Sequence, residues 1–387
     1  MSRTRFDVGG IIRDYGGEYL AGHSVVPQVR KPFAALASCR TSRLGGHVEV
    51  CPECGETLVS YNSCRDRHCP KCQNKEREQW VEMRREEIVP GVKYFHVVFT
   101  VPDALHPLAM ANMKDFYSAM FKASSDTLKK FFAAKGLQGG VTEVLHTWGS
   151  NLFYHPHIHC IVTGGGVDKY GVWHHLDSCR RSNFLFPVHA LSGVFRAKML
   201  AALTAALKLK GSVIPQTVRK KCMEMDWVVY SRPPAKGVSQ VLEYIGRYAY
   251  RVAISNSRIK NVAADGTVTY DYKDYRKGGR HAEMTMHATD FLHLFSLHVL
   301  PPGFVRIRHY GLLSPSNRDK VRAIQTQMGG TPVPKTRKKK SYIIICEKKG
   351  WKAGLCRQCG CKMSTVAIIA PNRAPPAHVK TPAYSLL

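Results

Sequence analysis

Hydrophobic residues change their spacing along the 387-residue chain, and each change predicts an element. Residues 94–102, Tyr-Phe-His-Val-Val-Phe-Thr-Val-Pro, are β-branched and aromatic and stop at a proline, which predicts a buried strand. Residues 107–135 have helical character. Residues 141–148 and 157–163 are two further strands, and the polar stretch 149–156 between them predicts a hairpin. Residues 191–209, rich in Ala, Leu and Lys, predict a helix. So do residues 238–252 around Tyr-Ile-Gly-Arg-Tyr, where Gly246 costs about 1 kcal/mol against alanine. Residues 267–275 alternate as a strand, and 288–300 predict a helix closed by Pro301-Pro302. Strands and helices do not alternate regularly, so the expected class is α+β.

Two segments fall outside this pattern. From Phe33 to about Trp80 the chain is loop-like, dense in Cys, Gly, Pro and His, and too poor in apolar periodicity to build its own core; bound metal is expected to organise it. After about Ser314 the composition shifts to prolines and the basic run 334–340, which predicts an extended DNA-binding arm or a linker. No internal repeat is visible.

Charge narrows the partners. Lys and Arg number 57 against 28 Asp and Glu, giving a net charge of +29 and a pI of about 9.8, and such a surface suits a polyanion. The start has no apolar stretch of signal-peptide length, and no later stretch is expected to span a membrane. Six of the 13 cysteines crowd into residues 39–72 with two histidines, which reads as metal binding in a reducing cytoplasm rather than as a disulfide scaffold.

The spacing Cys51-x-x-Cys54 with Cys69-x-x-Cys72 puts two pairs of thiolates on tight turns, an arrangement suited to tetrahedral, structural Zn²⁺. Cys39, His47, Cys64 and His68 could complete a second zinc site or be bystanders. Cys356-x-x-Cys359-x-Cys361, with Cys346 upstream, is a third candidate without an evident partner pair. On a strand, His157 and His159 project from one face and Ile158 from the other, so the pair could grip one divalent cation. His155 shares that parity, with Pro156 disturbing the geometry. His146, on the neighbouring strand, is the candidate third ligand. Gly164-Gly165-Gly166 would let backbone approach a ligand closely. Tyr244 and Tyr248 lie four apart and share a helix face, with Arg247 and Arg251 on an adjacent stripe. A phenol of pKa about 10 is a poor nucleophile unless a metal activates its electrophile. Each pattern is also compatible with plain packing, and Tyr270, Tyr272 and Tyr275 near Arg276 and Arg280 fit either a sheet face or a base-stacking surface.

Taken together these motifs resemble a known family. His155-Pro156-His157-Ile158-His159-Cys160-Ile161-Val162 and Tyr244-Ile245-Gly246-Arg247-Tyr248-Ala249-Tyr250-Arg251 look like the two signatures of the rolling-circle HUH transposases of bacterial insertion sequences. Tyr61-Asn62-Ser63-Cys64-Arg65-Asp66-Arg67-His68-Cys69-Pro70-Lys71-Cys72 resembles the zinc region at the N-terminus of that family, and Tyr272 to Arg276 and Arg306 to Gly311 are also similar to it. The likeness spans about residues 30–315. It implies an antiparallel-sheet nuclease core with flanking helices, His157 and His159 as ligands of Mg²⁺ or Mn²⁺, and Tyr244 and Tyr248 as nucleophiles. The implied reaction nicks and rejoins single-stranded DNA at element ends and in target DNA through a 5′-phosphotyrosine. The implied setting is the bacterial cytoplasm, associated with the nucleoid. The expected domains are a zinc-binding DNA-recognition domain (1–85), a catalytic domain (86–313) and a basic tail with a candidate small metal site (314–387). The rivals are a replication initiator or relaxase using the same chemistry, and a zinc-dependent DNA binder without catalysis.

Overall fold

The computed structural model describes residues 5–85, 87–176, 184–232, 246, 249–330, 332, 341–348 and 350–372. Its helices are α1 (Val8–Gly22), α2 (Arg30–Ser38), α3 (Pro70–Arg85), α4 (His106–Ala111), α5 (Met113–Ala133), α6 (Val188–Lys208), α7 (Gln216–Glu224), α8 (Ala288–Ser296), α9 (Arg318–Gln327) and α10 (Ser341–Lys348). Its strands are β1 (Gly46–Val50), β2 (Thr57–Tyr61), β3 (Tyr94–Thr100), β4 (Gln138–Trp148), β5 (Tyr154–Val167), β6 (Trp173–His175), β7 (Val229–Arg232), β8 (Ile259–Val262), β9 (Thr267–Asp274), β10 (Arg280–His287), β11 (Ile307–Gly311) and β12 (Ser364–Ile369). The class is α+β, with three antiparallel sheets among the described residues.

The central sheet has the order β11-β4-β5-β3-β7, with β6 added to the end of β5. Its two faces differ. Phe95, Val97, Phe99, Leu145, Ile158, Cys160 and Val162 point to one side and are buried under α5 and α6, against Phe116, Phe121, Phe195, Met199 and Leu203. Each such side chain taken out of water contributes about 1.5–3 kcal/mol, which fixes the register of β3 and β5. The opposite parity places His96, His146, His157 and His159 on the second face, because Thr100 pairs with His157, and His146 also pairs with His157. Trp80, Val81, Tyr94, Val144, Ile161 and Ala249 form a smaller core on that side.

Helix α6 is long and apolar enough, by length and composition, to cross a membrane, which corrects the expectation that no stretch would be. Its apolarity has a local cause: Leu191, Phe195, Met199, Leu203 and Leu207 are all buried in the main core.

The loop-like reading of residues 33–80 is also corrected. That stretch holds most of α2, the β1–β2 hairpin and α3. Helices α1 and α2 share a core with β8, β9 and α8 through Ile11, Ile12, Phe33, Ile259, Val268, Tyr270, Phe291 and Phe295. The described residues beyond 314 are packed on the rest of the chain rather than extended as an arm. Helix α9 buries Val321 and Ile324 against Val89, Val167 and Trp173, α10 lies along α3 with Lys348 paired to Glu78, and β12 pairs with β1. The basic run 334–340 lies outside the described residues.

Candidate metal centres and the sheet face

Period-two alternation on β5 brings His157 and His159 to one face with their Nε2 atoms 3.0 Å apart. The ligand atoms of His146, His157 and His159 all lie within 4.8 Å of one another. Neighbouring groups orient the rings. Nδ1 of His157 donates to the His155 carbonyl at 2.7 Å, which leaves its Nε2 lone pair facing the centre. His159 Nδ1 and His96 Nε2 share a hydrogen bond of 2.8 Å, and Trp148 stacks on His146 with ring centroids 4.6 Å apart. In the tautomer where His159 donates to His96, two Nε2 lone pairs confront each other, an arrangement a shared cation relieves. Burial holds His157 at a pKa of about 3 and pushes His159 well below its ordinary value, with smaller contributions from neighbouring rings and Arg251. Neutral imidazoles are the form that ligates metal. The donor set therefore fits a divalent cation.

His155 contributes its carbonyl rather than its ring to this centre. The glycine run has a different use from the one expected. Gly164, Gly165 and Gly166 lie within β5, where an added Cβ would come 2.9 Å from the Lys93 carbonyl, 2.4 Å from that of His174 and 2.6 Å from that of Gln138. They make room for neighbouring backbone, not for a ligand. Sequence reasoning also missed His96, although its parity on β3 matches Tyr94 and Val98 and would have placed it on the histidine face.

Tyr244, Tyr248, Arg247 and most of the predicted helix 238–252 lie outside the described residues. Gly246 and Ala249 are the described residues nearest to them in sequence. Gly246 and Ala249 are buried, Ala249 packs with Trp80, Val144 and Ile161, and the Tyr250 and Trp80 ring centroids are 6.0 Å apart. An added Cβ at Gly246 would stand 2.2 Å from Cγ2 of Val81, so glycine there answers to a close approach to α3. The Arg306 guanidinium caps this region, lying 5.7 Å from the Tyr250 ring centroid, donating to Gln73 and contacting the Arg251 carbonyl at 3.4 Å.

The cysteines group differently from the pairing expected. Cys39, Cys64, Cys69 and Cys72 form one cluster, with Sγ separations of 3.6 Å for Cys39–Cys72 and Cys39–Cys69 and 3.7 Å for Cys64–Cys72. Four thiolates 2.3 Å from one ion form a tetrahedron with edges of ~3.8 Å, so the cluster fits Zn²⁺. Backbone at Arg40 and Arg65, each directly after a cysteine, takes the left-handed conformation, with φ 57° at both. The amide of Asp66 donates to Cys64 Sγ at 3.5 Å, and that of Cys64 to Cys39 Sγ at 3.5 Å. Hydrogen bonds from Cys39, Cys64 and Cys69 hold the Cys72 thiol below its ordinary range.

Cys51 and Cys54 instead meet Cys356 and Cys359, at 3.3 Å for Cys51–Cys359 and 3.5 Å for Cys54–Cys356. Both form in the connection between β1 and β2, and β12, pairing with the other edge of β1, delivers the C-terminal pair. His47 and His68 are not among the grouped ligands. His47 lies 3.8 Å from Glu49, while His68 is bonded to Asp66 and accepts from the Leu300 amide. Cys346 and Cys361 also stand outside both clusters. Beside His68, Arg67 donates to the carbonyls of Leu300, Pro301 and Phe304, tying the first cluster to the segment leading into β11. Tyr270 is fully buried and donates to the Asn151 carbonyl, so it is a core residue, while Tyr275 is exposed.

Residues 11–101 match a family model described as "Transposase zinc-binding domain", and residues 140–320 one described as "Putative transposase". The chain is 42% identical over 351 residues to "Putative transposase y4qJ" of Sinorhizobium fredii, covering 86% of this chain and 87% of the relative. It is 29% identical over 284 residues to "Transposase for insertion sequence element IS801" of Pseudomonas savastanoi pv. phaseolicola, covering 72% and 68%. No solved structure matches.

Proposed function

The chain belongs to the IS91/IS801 family of insertion-sequence transposases, and from that premise we propose that it nicks and rejoins single-stranded DNA by tyrosine transesterification during rolling-circle transposition. The observation that carries the reading is the convergence of His146, His157 and His159 on the sheet face against which Ala249, next in sequence to Tyr248, packs. Tyr244 or Tyr248 attacks a phosphodiester at an element end, a bond from the phenolic oxygen to phosphorus forms, and the 3′-oxygen leaves as a hydroxyl. The 5′-phosphotyrosine conserves the bond energy for joining to target DNA. His146, His157 and His159 are the ligands for Mg²⁺ or Mn²⁺, which when bound supplies positive charge to the scissile phosphate. His155 and His96 hold the rings of His157 and His159 in place, and Arg251 adds fixed positive charge nearby.

The two thiolate clusters hold structural Zn²⁺, since four sulfurs leave no open coordination position. With the basic surface they grip DNA chiefly through phosphates, giving strong salt dependence. The setting that follows is the bacterial cytoplasm, on nucleoid DNA.

The test incubates zinc-loaded protein with a labelled single-stranded oligonucleotide carrying the element end and Mg²⁺ or Mn²⁺, then separates products on a denaturing gel. A covalent adduct that EDTA abolishes, and that is absent from the Tyr244→Phe, Tyr248→Phe variant, is the expected result. Tight binding without an adduct under every metal would leave a zinc-dependent DNA binder.

A further inference from the structure

We propose that Asp103, His106 and His155 form a second divalent-cation site beside the first histidine centre. The three come from two elements. Asp103 lies in the turn Asp103–Leu105 and His106 opens α4, three residues apart and hence on one side of the turn, while His155 lies at the start of β5. Their ligand atoms all lie within 4.8 Å of one another, and Asp103 Oδ1 stands 3.4 Å from His106 Nε2. Ligands 2.0–2.2 Å from one ion lie at most ~4.4 Å apart, so closure needs a few tenths of an ångström. Asp103 is exposed and free to supply that movement.

The nitrogen of His106 makes the case for a ligand. Its Nε2 is buried and makes no hydrogen bond, and the one charged group it faces is the Asp103 carboxylate 3.4 Å away, an arrangement that a shared cation satisfies. The ring is held in that direction by Tyr154, whose ring meets it edge-on at 5.2 Å. Two imidazoles and one carboxylate suit Mn²⁺, Co²⁺, Ni²⁺ or Zn²⁺ and do not suit Ca²⁺, which takes oxygen ligands. Three protein ligands, one of them at the surface, leave coordination positions open to water or a phosphate oxygen.

The position gives the site its use. The His155 and His157 ring centroids are 5.3 Å apart, so the two sites are neighbours along β5. A cation at the new site stands ready to hold the phosphate next to the scissile one, fixing the strand for attack. That role rests on the nicking reading; the cation binding does not.

The test titrates full-length, zinc-loaded protein with Co²⁺ and follows the ligand-field absorption of cobalt, while the thiolate charge-transfer band reports any exchange into the cysteine clusters. The expected result is two equivalents of Co²⁺ per chain without thiolate absorption. It predicts one equivalent in the Asp103→Ala, His106→Ala variant and one in the His157→Ala, His159→Ala variant. The single, exposed Asp103→Ala change is a control for folding: it should keep zinc content and the unfolding midpoint while weakening one equivalent by ~10-fold or more. A single equivalent in the wild type, two undiminished equivalents in the Asp103→Ala, His106→Ala variant, or unchanged affinities in Asp103→Ala would overturn the proposal. Two equivalents with no covalent DNA adduct would leave this site standing and remove the nicking reading instead.

Discussion

Replacing Gly246 with alanine sets two effects against each other. In an open helix the change stabilises by about 1 kcal/mol, because alanine loses less backbone entropy. Here the new Cβ would stand 2.2 Å from Cγ2 of Val81, where carbon atoms prefer ~3.5–4.0 Å. Valine is stiff about χ1, and Trp80 and Ile161 pack in the same small core, so the contact cannot relax by rotation. Overpacking of this kind costs about 1–3 kcal/mol, which gives a net destabilisation of up to about 2 kcal/mol. Val81→Ala removes the clashing methyl. In that background Gly246→Ala should recover its ordinary sign and stabilise by about 1 kcal/mol, a coupling within the range of neighbouring residues. Urea unfolding of the four zinc-loaded proteins measures both signs, and adduct formation should fall in Gly246→Ala and return in the double variant. The reasoning fails if Gly246→Ala stabilises the parent chain, or if it destabilises equally with and without Val81.

Three further expectations follow from the centres and the buried histidines. Cys356→Ser should lower the zinc content from two ions per chain to one and speed amide exchange in β12, while Cys64→Ser should remove the other ion and leave β12 protected. His146→Gln should weaken Mn²⁺ binding by ~10-fold or more with zinc content unchanged, measured by calorimetry. His298 and His309 are each held near a pKa of about 4 chiefly by burial, which the hydrogen bond to the Leu152 carbonyl partly offsets at His298 and the charges of Arg84 and Arg318 reinforce at His309, while they titrate near 6.5 when unfolded. The unfolded chain therefore binds more protons between pH 6.5 and 4, and stability is full above about pH 6.5 and declines as the pH falls towards 4. For His298 the loss is about 3 kcal/mol at most, and His298→Gln should flatten the decline in chemical-denaturation curves across that window.

What could be read from the sequence was what repeats at short range. The alternation in β3 and β5, the helical face of α5 and the hairpin joining β4 to β5 are local patterns, and they carried His157, His159 and His146 to one place. Helix α1 escaped because five of its 15 residues are glycine, although Asp7 caps it and Val8, Ile11, Ile12 and Tyr19 supply a buried stripe. Helix α3 begins inside a stretch whose composition suggests a loop, with Cys72, a member of one thiolate cluster, in its first turn. The partners of Cys51 and Cys54 could not be read at all, since Cys356 and Cys359 lie some three hundred residues away and only β12 brings them back. A third Cys-x-x-Cys, Cys356 to Cys359, was the visible signal, but spacing alone does not say which pairs share an ion. Charge and composition pointed to a polyanion without locating where it binds.

The most direct test of the central claim is to digest the covalent protein–oligonucleotide adduct and map the modified peptide by mass spectrometry. A single 5′-phosphotyrosine on Tyr244 or Tyr248, formed only when His157 and His159 are intact, is the result predicted. Attachment to any other residue, or an adduct that survives replacement of both histidines, would contradict tyrosine transesterification at this centre.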